Sequence, residues 1–351
     1  MSERVQRFIQ VDEDGYFKME DLRVADLDTG RAWFKSMRMD GLKPVIAMDG
    51  PSGTDMVIVE SFDAPLVAKN ISRDGGSWTL DLPYGHSEAF DPSALTIDEW
   101  DRFHGICERG IPFVFSRSAQ ATFFNLLDEY DDDSIMIDGK NFVLGPWLQE
   151  NADAGSSKWW SGFYQTGDAG WDLGGPHPAL ALFVPGLKLH RSRILVLGAG
   201  RGHDAAWFAK QGHIVTAVDY SEDAIAQAKE LYGSVDNLTF LKADALGLPP
   251  SMDRSFDVIF EHTLYCAIPP SRRNELAKSW RRALVETGHL MGVFFVNDKP
   301  FGPPFGGSEW ELRARLSKTF LPLYWQRLRL DHGKSRSGTE LFLYAQKLSV
   351  V

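Results

Sequence analysis

Residues 193–219 read RILVLGAGRGHDAAWFAKQGHIVTAVD. The apolar run Ile194–Leu197 predicts a strand, and Gly198-Ala199-Gly200-Arg201-Gly202 predicts a tight turn. An amphipathic helix then runs to Gly212, and a second strand, Ile214–Val218, ends on Asp219. A strand–turn–helix–strand unit with a carboxylate at the tip of its second strand is the arrangement that grips an adenosine-containing cofactor. Glycine lets the backbone approach the ligand closely, and the acid accepts hydrogen bonds from ribose hydroxyls.

The same rhythm continues downstream. Ser221-Glu222-Asp223 predicts a capped helix to about Leu231, with its acids in the first turn. Leu238–Lys242 reads as a strand ending near Asp244, and Phe256–Phe260 as a strand ending at Glu261-His262. A basic helix is expected from Ser271 to about Leu284, followed by an apolar strand, Leu290–Val296. Tyr324–Leu330 and Glu340–Gln346 are expected to close the sheet as an antiparallel hairpin. This alternation implies an α/β fold with a mainly parallel sheet covered by helices on both faces. Its ligand belongs beyond the carboxyl ends of the strands, where Asp219, Asp244 and the Glu261–Tyr265 loop all fall.

Residues 1–150 read differently. Strands are expected at Met56–Phe62, Pro65–Ile71, Ser77–Leu82 and Ile111–Phe115. Thr96 and Glu99 have capping-box spacing and predict a helix through Ile106, and Ala119–Tyr130 also reads as helical. Asp138-Gly139 predicts a hairpin turn between Ile135-Met136-Ile137 and Phe142-Val143-Leu144. These features describe a smaller α+β domain over 1–150, joined near the polar stretch QENADAGSS (149–157) to a second domain over 151–351.

Charge follows the same division. Residues 1–150 hold 14 basic and 28 acidic side chains, against 23 and 20 in residues 151–351. An acidic first half repels a phosphate backbone, so nucleic acid is not an expected partner. No apolar run reaches membrane-spanning length, and the N-terminal residues lack the apolar core of a secretory signal. Cys107 and Cys266 are the only cysteines, far apart in sequence. That argues against a disulfide framework or a metal site and fits a reduced, cytoplasmic protein. No feature specifies an oligomeric state.

The glycine spacing is G-x-G-x-G, tighter than the G-x-G-x-x-G of dinucleotide binders, and resembles motif I of class I methyltransferases, which bind S-adenosylmethionine. Further segments narrow the resemblance. Trp159-Trp160-Ser161-Gly162-Phe163-Tyr164, Gly167 and Trp171-Asp172-Leu173-Gly174 resemble the W-x-x-x-Y…G-x-x-x-W-D-L-G opening of the thiopurine, halide and thiol methyltransferases. The turn Leu197–Asp204 resembles that family's G-C-G-x-G-x-D. Phe256–Ala267 resembles its F-D-x-I-x-D-x-x-F-x-x-A-L, Pro270 and Arg273 its P-x-x-R, and Gly302-Pro303-Pro304-Phe305 with Ser308 its late G-P-P-[FY]-x-x-S loop. The likeness runs from about Trp159 to the C-terminus and omits the first 150 residues. It departs from the family at Glu261-His262, where Asp-Tyr or similar is usual, and at Thr287-Gly288-His289, where Gly-Gly is usual.

The resemblance implies a Rossmann-like class I methyltransferase fold and S-adenosylmethionine as cofactor. It implies that Trp160 and Trp171 pack near the sulfonium, although paired tryptophans also serve ordinary core packing. Leu197, Gly198 and Gly200 would shape the turn, Asp219 would hold the ribose with Tyr220 beside it, and Asp244 and Ala245 would flank the adenine. Glu261 and His262 would occupy the loop where cofactor and acceptor meet, and Tyr265 and Phe305 would wall the acceptor pocket or serve ordinary core packing.

Methyl transfer is an in-line displacement, so the protein's task is to orient the nucleophile and exclude water. Two residues are candidates for chemistry. Arg273 is either an anion partner that lowers an acceptor thiol's pKa or a solvated arginine on a basic helix. His262 either takes a proton from the acceptor or is a satisfied structural histidine. The expected function is methylation of a small soft nucleophile, a thiol, thiopurine-like compound or halide. The rival readings are a cofactor-binding regulator without catalysis and a nicotinamide-dependent oxidoreductase.

Overall fold

The computed structural model describes residues 8–50, 53–330 and 336–349. The chain divides into two compact units. One holds the residues up to Gln149 together with Asn297–Pro300 and Gly307–Glu311. The other holds Glu150–Val296, Phe301–Gly306 and Leu312 onward.

The second unit is built on a seven-stranded sheet in the order Leu238–Lys242, Ile214–Asp219, Arg193–Leu197, Phe256–His262, Leu284–Phe295, Glu340–Lys347, Phe320–Leu328. The first five strands are parallel. The last two form an antiparallel pair, with Glu340–Lys347 also antiparallel to Leu284–Phe295. This is the expected α/β architecture, a mainly parallel sheet closed by an antiparallel hairpin. Within Arg193–Leu197 the pleat sends alternate residues to opposite faces. Ile194 and Val196 join one buried cluster with Phe208 of helix His203–Lys210. Leu195 and Leu197 join another with Leu276 and Trp280 of helix Arg273–Ala283. A central strand that is buried on both sides needs helices on both sides, which the sequence supplies at 3.6-residue spacing. Chain order reverses between Arg193–Leu197 and Phe256–His262, and a crevice opens at such a switch point beyond the carboxyl ends of the strands.

Local signals explain the element ends. Ser221 caps helix Glu222–Tyr232, its hydroxyl accepting from Ala224 N at 3.1 Å, with Glu222 and Asp223 in the first turn. Helix Ser157–Thr166 stops at Gly167, which takes the left-handed conformation at φ 79°. Helix Pro178–Leu187 went unread in the sequence: its N-cap is a histidine, His177, whose Nδ1 accepts from Ala179 N.

The first unit is mostly β structure. A six-stranded sheet (order Leu22–Arg23, Phe17–Met19, Phe8–Val11, Gly53–Ser61, Lys43–Gly50, Arg38–Asp40) and a five-stranded sheet (Gly145–Pro146, Thr96–Ile97, Phe103–Ile106, Pro112–Phe115, Leu66–Ala68) are joined by two three-stranded sheets. Helices Leu27–Ser36 and Arg117–Phe124 complete it. The helix expected over Thr96–Ile106 is a pair of strands instead. Thr96 does not cap; its hydroxyl donates across the ladder to His104 O. Asp98 breaks the run by accepting from the amides of Trp100 and Arg102. The helix expected over Ala119–Tyr130 ends at Phe124, and Glu129–Tyr130 turns into a strand. The hairpin Ser134–Ile137 to Lys140–Val143 has the expected turn, with Asp138 and Gly139 both at positive φ. Among the described residues, no helix is long and apolar enough to cross a membrane.

Candidate active site

A cavity of about 430 Å³ lies within the second unit at the carboxyl ends of its strands. One wall is made by the strand ends themselves: Gly198, Val218-Asp219-Tyr220, Ala243-Asp244-Ala245, Thr263-Leu264 and Phe295. The other wall comes from loops and one helix: Trp159, Trp160 and Phe163, then Trp171, Cys266 to Pro269, Arg272, Pro303-Pro304 and Arg336.

The strand-end wall depends on backbone geometry. Gly198 has φ 61°, and a Cβ placed there would sit 2.9 Å from Leu264 Cβ. Gly200 has φ 51°, and its Cβ would meet the Tyr164 hydroxyl at 3.0 Å. Asp219 ties the two strands of the motif together. Its Oδ2 accepts from Gly200 N and its Oδ1 from Ser221 N, each at 2.8 Å. Burial pushes this carboxyl above its ordinary range, against the pull of the Ser221, Gly200 and Tyr220 amides. Each oxygen retains accepting capacity toward a ribose hydroxyl. Asp244 closes a short turn, accepting from Leu246 N at 2.9 Å, and faces the same cavity.

The loop wall is aromatic. Trp160 and Trp171 meet edge to face at 5.5 Å, Phe163 stands 5.3 Å from Trp171, and Trp159 stands 4.7 Å from Trp160. The indole N–H groups are used internally: Trp160 donates to Ala154 O and Trp171 to the Tyr164 hydroxyl. Electron-rich ring faces therefore remain to attract a cation such as a sulfonium. Arg336 adds positive charge to this wall. It donates to Trp171 O at 2.9 Å and reaches Glu340 at 3.3 Å.

Of the residues singled out from sequence, Trp160, Trp171, Gly198, Asp219, Tyr220, Asp244 and Ala245 line the cavity. The others, Phe305 among them, are absent from its lining. Leu197 is fully buried in the sheet, and Gly200 shapes the turn behind the wall. Glu261 is sealed beneath the loop, its Oε2 accepting from Leu264 N and Tyr265 N at 3.1 and 3.0 Å. Burial raises its pKa to about 7. Tyr265 is buried at 3% exposure, against Trp280 and Phe294.

Arg273, the expected anion partner, is completely buried. Its guanidinium lies 4.4 Å over the Tyr265 ring and donates to Gly306 O at 2.9 Å. Its neighbour Arg272 reaches the cavity, half exposed and paired with Glu275 at 2.8 Å. One residue is 100° of helix, enough to separate a buried face from an open one.

His262 points into a buried polar cluster. Its Nδ1 meets Asp204 at 3.0 Å, its ring packs edge-on against His177 at 4.7 Å, and His177 Nε2 meets Glu340 at 3.2 Å. Burial alone would lower the His262 pKa, but the Asp204 carboxylate outweighs it and holds the imidazole above its ordinary value. His177 is pushed down by burial despite Glu340. Ligand atoms of His177, His262 and Glu340 lie within 4.8 Å of one another. The chemistry of the trio favours hydrogen bonding over metal ligation: His177 Nδ1 accepts an amide proton, so its own proton sits on the Nε2 that faces Glu340.

The sequence reading missed Arg336, Arg272, Phe163 and the Cys266–Pro269 wall. Trp159 and Phe163 stood inside a motif already noted, one helical turn apart. Arg336 carried no signal, because it shares no local pattern with the strand ends.

The profile of the thiopurine S-methyltransferase (TPMT) family matches residues 156–333. Thiocyanate methyltransferase 1 of Brassica oleracea is 32% identical over 175 residues, 48% of this chain and 75% of that protein. A probable thiol methyltransferase 2 of Arabidopsis thaliana is 30% identical over 180 residues, 50% of this chain and 75% of the relative. Thiopurine S-methyltransferase of Vibrio cholerae is 25% identical over 214 residues, 55% of this chain and 96% of the relative.

Proposed function

Because the chain belongs to the thiopurine S-methyltransferase family, we propose that its second unit methylates a small sulfur nucleophile with S-adenosylmethionine as donor. The donor supplies an activated methyl group on a sulfonium, and the remaining work falls to the protein. The observation that carries the reading is the pairing of an aromatic cage with a guanidinium, Arg336, on a cavity wall that bears no histidine among the described residues.

In this reading Asp219 accepts from the ribose and Asp244 from the adenine amine. The glycine turn leaves room for the nucleoside, since a Cβ at Gly198 would already collide with Leu264. Trp160, Trp171 and Phe163 hold the cationic end by their ring faces. Arg336, with Arg272 as a second cation, favours the ionised acceptor. A thiol of pKa about 8.5 is already partly thiolate at neutral pH, and positive charge increases that fraction. No dedicated base is then required. His262 is engaged with Asp204, Glu261 with two backbone amides, and burial pushes the Cys266 thiol up to about 12, which leaves it protonated. Glu261, Tyr265, Leu197 and Gly200 shape the cavity from behind, and Arg273 anchors the loop at Gly306.

The reading includes a cytoplasmic location, supported by Cys107 and Cys266, both buried and unpaired. It includes no nucleic-acid partner, supported by the acidic excess of residues 1–150, and it gives the first unit an accessory role. Calorimetry with S-adenosylhomocysteine, followed by methyl-transfer assays on thiocyanate, aromatic thiols and halides, tests it. Binding with turnover of at least one thiolate is expected. Binding without any turnover would favour a regulator, and an absence of binding would end the proposal.

A further inference from the structure

The half of the chain that carries the family match contributes two short pieces to the first unit. Asn297–Pro300 and Gly307–Glu311 belong to that unit, whereas the intervening Phe301–Gly306 belongs to the second. This hexapeptide supplies Pro303 and Pro304 to the cavity wall.

Both flanks are held by specific groups inside the first unit. Asn297 and Gly307 exchange both backbone hydrogen bonds, at 2.9 and 3.0 Å. Gln149 donates its amide to Pro300 O at 2.6 Å. Past the loop, the Ser308 hydroxyl donates to Asp63 and accepts from Glu311 N, each at 3.1 Å, which caps helix Glu309–Leu316. Trp310 N donates to Phe62 O at 3.0 Å. The Trp310 indole lies 3.3 Å beneath the Arg102 guanidinium and edge-on to Trp100 at 5.1 Å. Arg102 is itself fixed by Asp63 at 2.5 Å and by Asp98 at 2.7 Å. Asp98 also binds His104 at 2.9 Å, and the His104 ring stacks on Trp147 at 5.1 Å.

We propose that the tied ends of Phe301–Gly306 restrict the segment that bears Pro303 and Pro304: the Asn297–Gly307 pair closes its two ends on each other, the Asp63–Arg102–Trp310 clamp holds the chain just past it, and the freedom so removed selects which acceptors the cavity takes. The proposal that acceptors are selected rests on the methyl-transfer reading, while the clamp itself does not. A six-residue loop pinned at both ends has few conformations left, and Pro303-Pro304 removes more by fixing φ. The interior of the loop is then locked within the second unit, where Phe305 N donates to Cys266 O at 2.7 Å and Arg273 to Gly306 O. Releasing one end returns freedom to the segment that bears the wall. Trp310 is a positioning residue, since it is absent from the cavity lining.

The test is hydrogen–deuterium exchange on the full chain, comparing the parent with Trp310→Ala, the milder Ser308→Ala, and Trp310→Phe, which restores a ring under Arg102. Amides of Phe305–Gly307 are expected to exchange about tenfold faster in Trp310→Ala and faster in Ser308→Ala, to return toward parental rates in Trp310→Phe, and to leave Arg193–Asp219 unchanged. In parallel, acceptor KM should rise roughly tenfold, and discrimination between a small and a bulky thiol should shrink. S-adenosylhomocysteine affinity should stay within about twofold. Unchanged loop exchange in both Trp310→Ala and Ser308→Ala would overturn the proposal, as would acceleration spread equally over Arg193–Asp219, which marks general destabilisation. If the parent binds no S-adenosylhomocysteine, the methyl-transfer reading fails while the exchange comparison still decides the clamp.

Discussion

The two walls of the cavity are built by different means. The strand-end wall, from Gly198 through Asp219 and Asp244 to Leu264, is made where parallel strands stop, and its residues are fixed by backbone hydrogen bonds to near neighbours. The loop wall gathers Trp160, Trp171, Cys266, Pro303 and Arg336, which are spread over 177 positions of sequence. In the proposed reading, the strand-end wall recognises the nucleoside; a wall made of loops can change its side chains without disturbing the sheet, so that reading assigns acceptor choice to it.

The largest effect expected from separating the walls is at Asp219. Asp219→Ala removes acceptors for Gly200 N and Ser221 N as well as for ribose. S-adenosylhomocysteine affinity should fall by about a hundredfold or more by calorimetry, since buried amides are left unsatisfied. A loss below threefold would show that this wall does not carry cofactor binding.

Arg336→Ala should act on the other wall. Thiol kcat/KM is expected to drop roughly thirtyfold while S-adenosylhomocysteine affinity moves less than about threefold. The rising limb of the pH–rate profile should also shift to higher pH, because removing a cation raises the acceptor's pKa. Equal losses for donor and acceptor would erase the division.

Glu261 stands at the seam, joining the end of strand Phe256–His262 to the loop at Leu264 and Tyr265. Its folded pKa of about 7 lies above the ordinary value of 4.5, chiefly through burial. The native state therefore holds a proton that the unfolded chain has lost. The stability so contributed is full below pH 4.5 and is lost as pH rises toward 7. Glu261→Gln should remove this dependence, a difference on the order of 2 kcal/mol across that window in paired denaturant titrations. Parallel curves would contradict the assignment.

The smallest effect is expected at Gly198→Ala. A Cβ 2.9 Å from Leu264 Cβ, on a backbone at φ 61°, should cost about tenfold in cofactor affinity. Parental affinity would mean that the turn has slack.

The same contrast governs what could be read from sequence. The parallel sheet, the glycine turn, Asp219 and Asp244 were legible because each is a local pattern: apolar strand, break, polar strand end. Trp160 and Trp171 were legible because they sit in a short motif. Arg336 was not, since only the closing hairpin brings it to the cavity. Arg273 was expected at the acceptor and is buried instead, because helical phase at a terminus depends on packing, here over the Tyr265 ring. The helix expected over Thr96–Ile106 failed for a related reason: Asp98 satisfies backbone amides locally, and Phe103–Ile106 is drawn into a ladder with Pro112–Phe115. The clamp around Trp310 was invisible, since it joins residues nearly 250 positions apart, Asp63 to Ser308 among them.

The central claim is that this cavity carries a methyl group from S-adenosylmethionine to a thiolate. The direct measurement is a single-turnover reaction of the full chain with isotopically labelled donor and a small aromatic thiol, followed from pH 6 to 9. The account predicts labelled thioether at a rate that climbs with thiol ionisation and then levels. Saturating donor bound to folded protein, with no labelled thioether at any pH for this thiol or for thiocyanate, would contradict it.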